Sequence, residues 1–284
     1  MGLLGRCVLI DLGCNVRYAI GLARAALGAM IFALPLMMTM EMWEFGVTVE
    51  PVRLIITLIL SLPILVGLSF YAGFEPTFSL LDNLLDAFAA FFVSVVTCAA
   101  VLLLLGELGA ETSLNVIVGK LAVVSFPAAI GALLADKQFN DRPDEQPRTS
   151  LSAGFMGRLL VMSIGALFLA LNIAPTDEIE LIAVKLNPFQ AILLSLVSFL
   201  ILVLTLRAID AESDDAPIPL VRHVARGIAG YGLCLLLSLY VLWFFGRTDG
   251  TAFEEVLETV IVLAFPAALG AGAARLIFGQ GDEE

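Results

Sequence analysis

Two short patterns in this chain offer the clearest chemistry. Glu41 follows Thr39 by two positions, and Glu178 follows Thr176 by two. Each pattern supplies a carboxylate and a hydroxyl, and two of them brought together would provide the hard oxygen donors that replace the hydration of a small cation. Paired carboxylates also hold a proton, because close neighbours resist ionising together. The competing reading is that both glutamates cap helices at a membrane interface, where a charge costs far less than the roughly 3 kcal/mol of mid-bilayer. Glu44, Asp177 and Glu180 lie beside them and would make the surroundings negative, drawing cations and repelling anions.

A second constellation is ionic. Asp82 and Asp86 are four residues apart, as are Arg222 and Arg226, so each pair lies on one face of a helix. Aligning Gly106 with Gly246, an offset of 140 residues, sets the acidic pair opposite the basic one. If the two helices meet, ion pairs between them would lock or gate one side of the protein, with His223 placed to tune them near neutral pH. The alternative is that the arginines snorkel to an anionic leaflet while the aspartates face water. Other chemistry finds little support. His223 is the single histidine, and Cys7, Cys14, Cys98 and Cys234 form no C-x-x-C pair, so neither a metal site nor a disulfide framework is expected. No H-E-x-x-H, Walker loop or G-x-S-x-G is present, and the expectation is a protein that is not an enzyme and carries no cofactor.

The elements that must position these residues follow from composition. Of 284 residues, 60% are hydrophobic and 15% charged, with a mean hydropathy of +0.99. A water-soluble globular domain lies far from those values. Apolar runs at 18–44, 53–73, 83–105, 114–135, 157–176, 189–207, 224–245 and 256–277 predict eight transmembrane helices, since about 20 apolar residues cross a bilayer. The runs are apolar all round, which excludes the alternating pattern of a β-barrel. Pro35, Pro63, Pro127 and Pro266 fall inside four of them and predict kinks. The net charge of -12 argues against nucleic acid as a partner. With the N-terminus inside, eleven of the 15 Lys and Arg residues fall on the inner side and only Arg53, Lys120, Lys185 and Arg247 on the outer side. The positive-inside rule then puts both termini in the cytoplasm.

The chain also repeats itself. SFPAAIGALL, beginning at Ser125, matches AFPAALGAGA, beginning at Ala264, with Pro127 and Pro266 139 residues apart. GAMIFALPLMMTMEMWEF from Gly28 aligns with GALFLALNIAPTDEIELI from Gly165 at an offset of 137, which superposes Thr39 on Thr176 and Glu41 on Glu178. Pro51 and Pro188 keep that offset. Ordered matches at nearly one spacing indicate duplication. A four-helix unit crosses an even number of times, so its copy must be parallel, as in transporters that bind substrate between such repeats. The predicted organisation is therefore an N-terminal segment 1–16, a first repeat 17–136, a linker 137–156, a second repeat 157–278 and an acidic tail 279–284.

Around GAMIFALPLMMTMEMWEFG and Leu169 to Leu181, the chain resembles a bacterial family of integral membrane proteins known by a domain-of-unknown-function label. That resemblance implies a multi-span membrane protein and transfers no functional residues. The leading expectation is an inner-membrane secondary transporter or channel for a cation or proton, working at Glu41, Glu178, Thr39 and Thr176. The runner-up is a structural or regulatory membrane protein that binds a partner.

Overall fold

In the computed structural model the described residues are 12–72, 80–109, 111–139, 154–212 and 219–279. The expected segments 1–16, 137–156 and 279–284 fall mostly outside them. The described residues are helical throughout, apart from connections. The first half contains α1 (Leu12–Met37), α2 (Met40–Thr48), α3 (Pro51–Ala72), α4 (Leu80–Leu104) and α5 (Leu114–Phe139). The second contains α6 (Phe155–Ile173), α7 (Glu178–Lys185), α8 (Pro188–Glu212), α9 (Leu220–Phe244) and α10 (Phe253–Gly279). Eight of these helices, all but the short α2 and α7, are long and apolar enough to cross a membrane.

The expected first span, 18–44, does not survive as one helix. It stops at Met37, and α2 starts anew at Met40. The break is chemical as well as geometric: Thr39 donates both its backbone N–H and its hydroxyl to the carbonyl of Leu36, and the Trp43 indole N–H reaches the carbonyl of Met37 at 2.8 Å. The last turn of α1 thereby finds donors that a continued helix would have supplied. After α6 the same device recurs, with Thr176 donating its N–H and hydroxyl to Ile173. Glu41 and Glu178 consequently sit on short helices that follow the spans, not in the outer third of the spans themselves.

Each half buries one helix more than the others. In α5, 72% of the spanning window is buried, and in α10 61%, against 28% for α3 and for α8. These two central helices carry the repeated Phe-Pro-Ala-Ala motif, and Ala128, Ala129, Ala267 and Ala268 are fully enclosed. The outer helices expose Ile55, Ile59, Phe92, Leu196 and Leu200. Contiguous apolar surface of that kind is tolerated where lipid covers it. Lipid tails compete with apolar side chains, so helices in a bilayer associate through close packing at small residues. Gly28 of α1 and Gly131 of α5 meet backbone to backbone, and so do Gly165 of α6 and Gly270 of α10. Several polar side chains inside the spans are satisfied locally: Ser94, Ser125, Ser163, Ser198 and Thr205 each donate to the carbonyl four residues back. Cys98 and Cys234 are buried free thiols, as their apolar surroundings in the sequence predict.

The two halves use the same packing scheme. The helix pairs α1 with α5, α3 with α5, α4 with α5 and α2 with α5 have counterparts in α6, α8, α9 and α7 with α10. Between halves the contacts are fewer and fall on α1 with α6, α3 with α6, α5 with α6 and α3 with α9. Gly106 and Gly246 end α4 and α9 with φ of 81° and 73°, the left-handed conformation that closes a helix by returning the next N–H to the last turn.

Candidate functional site

One end of the bundle gathers α2, α7, the start of α3 and the turn between α9 and α10. Arg53, at the start of α3, donates to the carbonyl of Trp243 at 2.8 Å and to both carboxylate oxygens of Asp249 at 2.7 and 2.8 Å. Its guanidinium also lies over the Trp243 ring, 5.3 Å from the centroid. Arg247 reaches back to the other short helix, donating to Asp177 at 2.7 Å, Glu180 at 3.1 Å and the carbonyl of Pro175. It also packs over Phe45 of α2, at 5.1 Å. The Tyr240 hydroxyl donates to Thr57 at 2.9 Å, completing a polar seam between halves. Arginine suits this role because its planar donors satisfy a carboxylate and a carbonyl together while the same plane stacks on an aromatic ring.

Lys120 belongs to the same end and is 8% exposed. Its ammonium pairs with Glu107 at 2.8 Å and also donates to the Glu107 carbonyl at 3.2 Å, tying α5 to the turn after α4. Gly46 of α2 rests directly against the backbone of Lys120, a contact with no room for a Cβ. Sequence reasoning placed these bases at the outer ends without seeing their partners. Glu107 and Arg247 occupy corresponding positions, each following a left-handed glycine, yet carry opposite charge and hold different neighbours.

The predicted oxygen donors occupy corresponding places on the two short helices. Glu41 lies in the first turn of α2 and is half-buried, whereas Glu178 begins α7 and is exposed. Both enjoy the favourable interaction of a carboxylate with a helix N-terminus. The hydroxyl protons of Thr39 and Thr176 are committed to helix-end carbonyls at 2.9 and 2.8 Å. α2 and α7 pack on α5 and α10 and do not form a packed pair with each other. Among the described residues no group of three or more His, Cys, Asp or Glu side chains is arranged to hold a metal ion.

α4, which carries Asp82 and Asp86, and α9, which carries Arg222 and Arg226, are not extensively packed on one another. α4 packs in the first half, where Asp86 accepts from Ser69 at 3.4 Å. α9 packs against α6, α8 and α10, with a small contact to α3. The arginines line a cavity of about 410 Å³ with Arg158, Phe155 and Ala225. His223 faces inward and is buried. Asp82, Asp86 and Arg226 each have an interaction within the fold. Pro35, Pro127 and Pro266 all lie within helices, as expected.

A multi-span helical architecture with lipid-compatible outer faces agrees with comparison by sequence. The family model described as "Putative integral membrane protein (DUF2391)" matches residues 21–278. The chain belongs to the DUF2391 family. No curated protein and no solved structure matches the chain. The family match spans both halves, including both short helices and both central proline helices, so the DUF2391 unit comprises all eight spans.

Proposed function

We propose that this DUF2391 protein is a secondary transporter or channel of the bacterial inner membrane that moves a small cation or a proton, with both termini in the cytoplasm. The observation that carries the reading is the difference between packing within halves and packing between them. Glycine pairs lock α1 to α5 and α6 to α10 at backbone contact. Between the halves stand a few helix contacts and the polar seam of Arg53, Arg247 and Tyr240. Two tightly packed halves joined by the ring pairs Phe32–Phe168 and Phe45–Phe245 and by exchangeable polar contacts suit the rocking of one repeat against another that gives alternating access. At the α2 and α7 end, Asp177 and Glu180 pair with Arg247 and Glu50 with Arg53, while Glu41, Glu44 and Glu178 add carboxylates that attract cations. Glu41 and Glu178, with the hydroxyl oxygens of Thr39 and Thr176, are the proposed coordinating groups. Arg24, Arg158, Arg207, Arg222, Arg226 and Arg275 on the long helices make the opposite side the cytoplasmic one under the positive-inside rule.

Proteoliposome flux tests this. Wild-type protein should carry protons or a monovalent or divalent cation, and Glu41→Gln and Glu178→Gln should each abolish that flux while inserting normally. Undiminished flux in both variants removes the site. A structural or regulatory role is the second reading, and absence of any cation or proton flux in wild type would select it.

A further inference from the structure

A cavity at the other end of the second half lies outside the proposed cation site. Arg158 stands in the first turn of α6, and Arg222 and Arg226 stand in the first two turns of α9, which packs beside it. Together with Phe155 and Ala225 they surround the space of about 410 Å³, and no acidic side chain lines it among the described residues. The N-termini of both helices open there, adding their own positive potential to three guanidinium groups. Arg158 and Arg226 each have an interaction within the fold. Each guanidinium has five N–H donors, enough to retain that contact and still bind an anion. Next to this space the wall turns apolar: Leu159, Met162 and Leu206 continue from Arg158 and Arg226 toward Arg275.

We propose that the Arg158, Arg222 and Arg226 cavity binds a phosphate-type anion, either the headgroup of an anionic phospholipid or free inorganic phosphate. Arginine forks match phosphate oxygens in pairs, and basic pockets between membrane helices recognise anionic headgroups. The apolar wall beside the arginines would accept the start of an acyl chain, giving an amphiphile both of its surfaces. This site is independent of the cation reading and stands or falls separately.

The test uses full-length protein in neutral detergent. Native mass spectrometry with added phosphatidylglycerol reads the lipid arm, and thermal unfolding with millimolar inorganic phosphate reads the free-anion arm. Wild type should retain phosphatidylglycerol over phosphatidylcholine, or melt higher with phosphate, and the first result assigns the lipid while the second alone assigns the free anion. Arg158→Gln combined with Arg226→Gln should weaken the response by roughly tenfold or more, the scale of losing charge-assisted hydrogen bonds. Should that double variant fail to fold, Arg222→Glu, exposed on α9, gives the same test by charge reversal. Arg207→Gln, an exposed arginine on α8 outside the cavity, should leave binding intact. The proposal is overturned if neither anion binds wild type, if the cavity variants bind as well as wild type, or if Arg207→Gln weakens binding equally.

Discussion

The carbonyl of Gly28 occupies the space that a Cβ on Gly131 would need, and the carbonyl of Gly131 occupies the space that a Cβ on Gly28 would need. Gly165 and Gly270 stand in the same reciprocal relation in the second half. These contacts set the distance between each first helix and its central proline helix. Alanine at any of the four forces the backbones apart, and overpacking of this kind costs about 1–3 kcal/mol. Gly28→Ala and Gly270→Ala should therefore lower the thermal midpoint in detergent. Gly232→Ala is the control, because its new methyl meets nothing within 4 Å and relieves an unfavourable helical glycine by about 0.5–1 kcal/mol. Equal midpoints for Gly28→Ala and Gly232→Ala would refute the close-packing account.

Lys120 and Glu107 should behave as a buried pair. Neutralising the acid alone, as Glu107→Gln, leaves a largely enclosed ammonium with neutral oxygen acceptors and no counter-charge, and breaking such a pair costs about 3 kcal/mol or more. Replacing both, as Lys120→Met with Glu107→Gln, removes the stranded charge and should recover much of the loss. Chemical denaturation of the two single variants and the double variant checks this. Strict additivity would mean that the two side chains do not act as a pair.

The Arg53 seam divides differently. Asp249 is 58% exposed, so its ion pair is screened by water, and Asp249→Asn should cost about 1 kcal/mol or less. The Arg53 side chain is only 13% exposed and also serves the Trp243 carbonyl and ring, so Arg53→Ala should cost more, about 2 kcal/mol. Thermal melts of both variants decide it, and a larger loss for Asp249→Asn would contradict this ranking.

Much of the architecture was legible because lipid makes the spans continuous apolar runs and because the duplicated Phe-Pro-Ala-Ala motifs mark the two most enclosed helices. Gly131 and Gly270, which follow those motifs, are where the backbones touch. The short helices were not legible as separate elements. Residues 18–44 stay apolar through the break at Thr39, and hydropathy carries no record of a hydroxyl turning back to Leu36. The arginine cavity was hidden for another reason. Arg158 and Arg222 belong to different spans, and only the packing of α6 on α9 puts them around one space. An alignment of the two halves equates positions without saying which helices touch.

Orientation follows from the unequal charge at the two ends and can be read with single cysteines. Val47 on α2 and Val221 on α9 are both exposed, at 56% and 80%, and lie at opposite ends of the bundle. Their substitution removes no buried contact, and the native Cys98 and Cys234 are enclosed and slow to react. In a background where the native cysteines are replaced by serine or alanine, Val47→Cys should label with a membrane-impermeant maleimide added to intact spheroplasts, and Val221→Cys should label after lysis alone. The reasoning is electrostatic: arginines of α6, α9 and α10 cluster at the Val221 end, and translocating them against the membrane potential is unfavourable by about 2.3 kcal/mol per charge per 100 mV. The reverse labelling pattern would place the acidic α2 and α7 surface in the cytoplasm, and with it any cation entering there would approach from inside the cell.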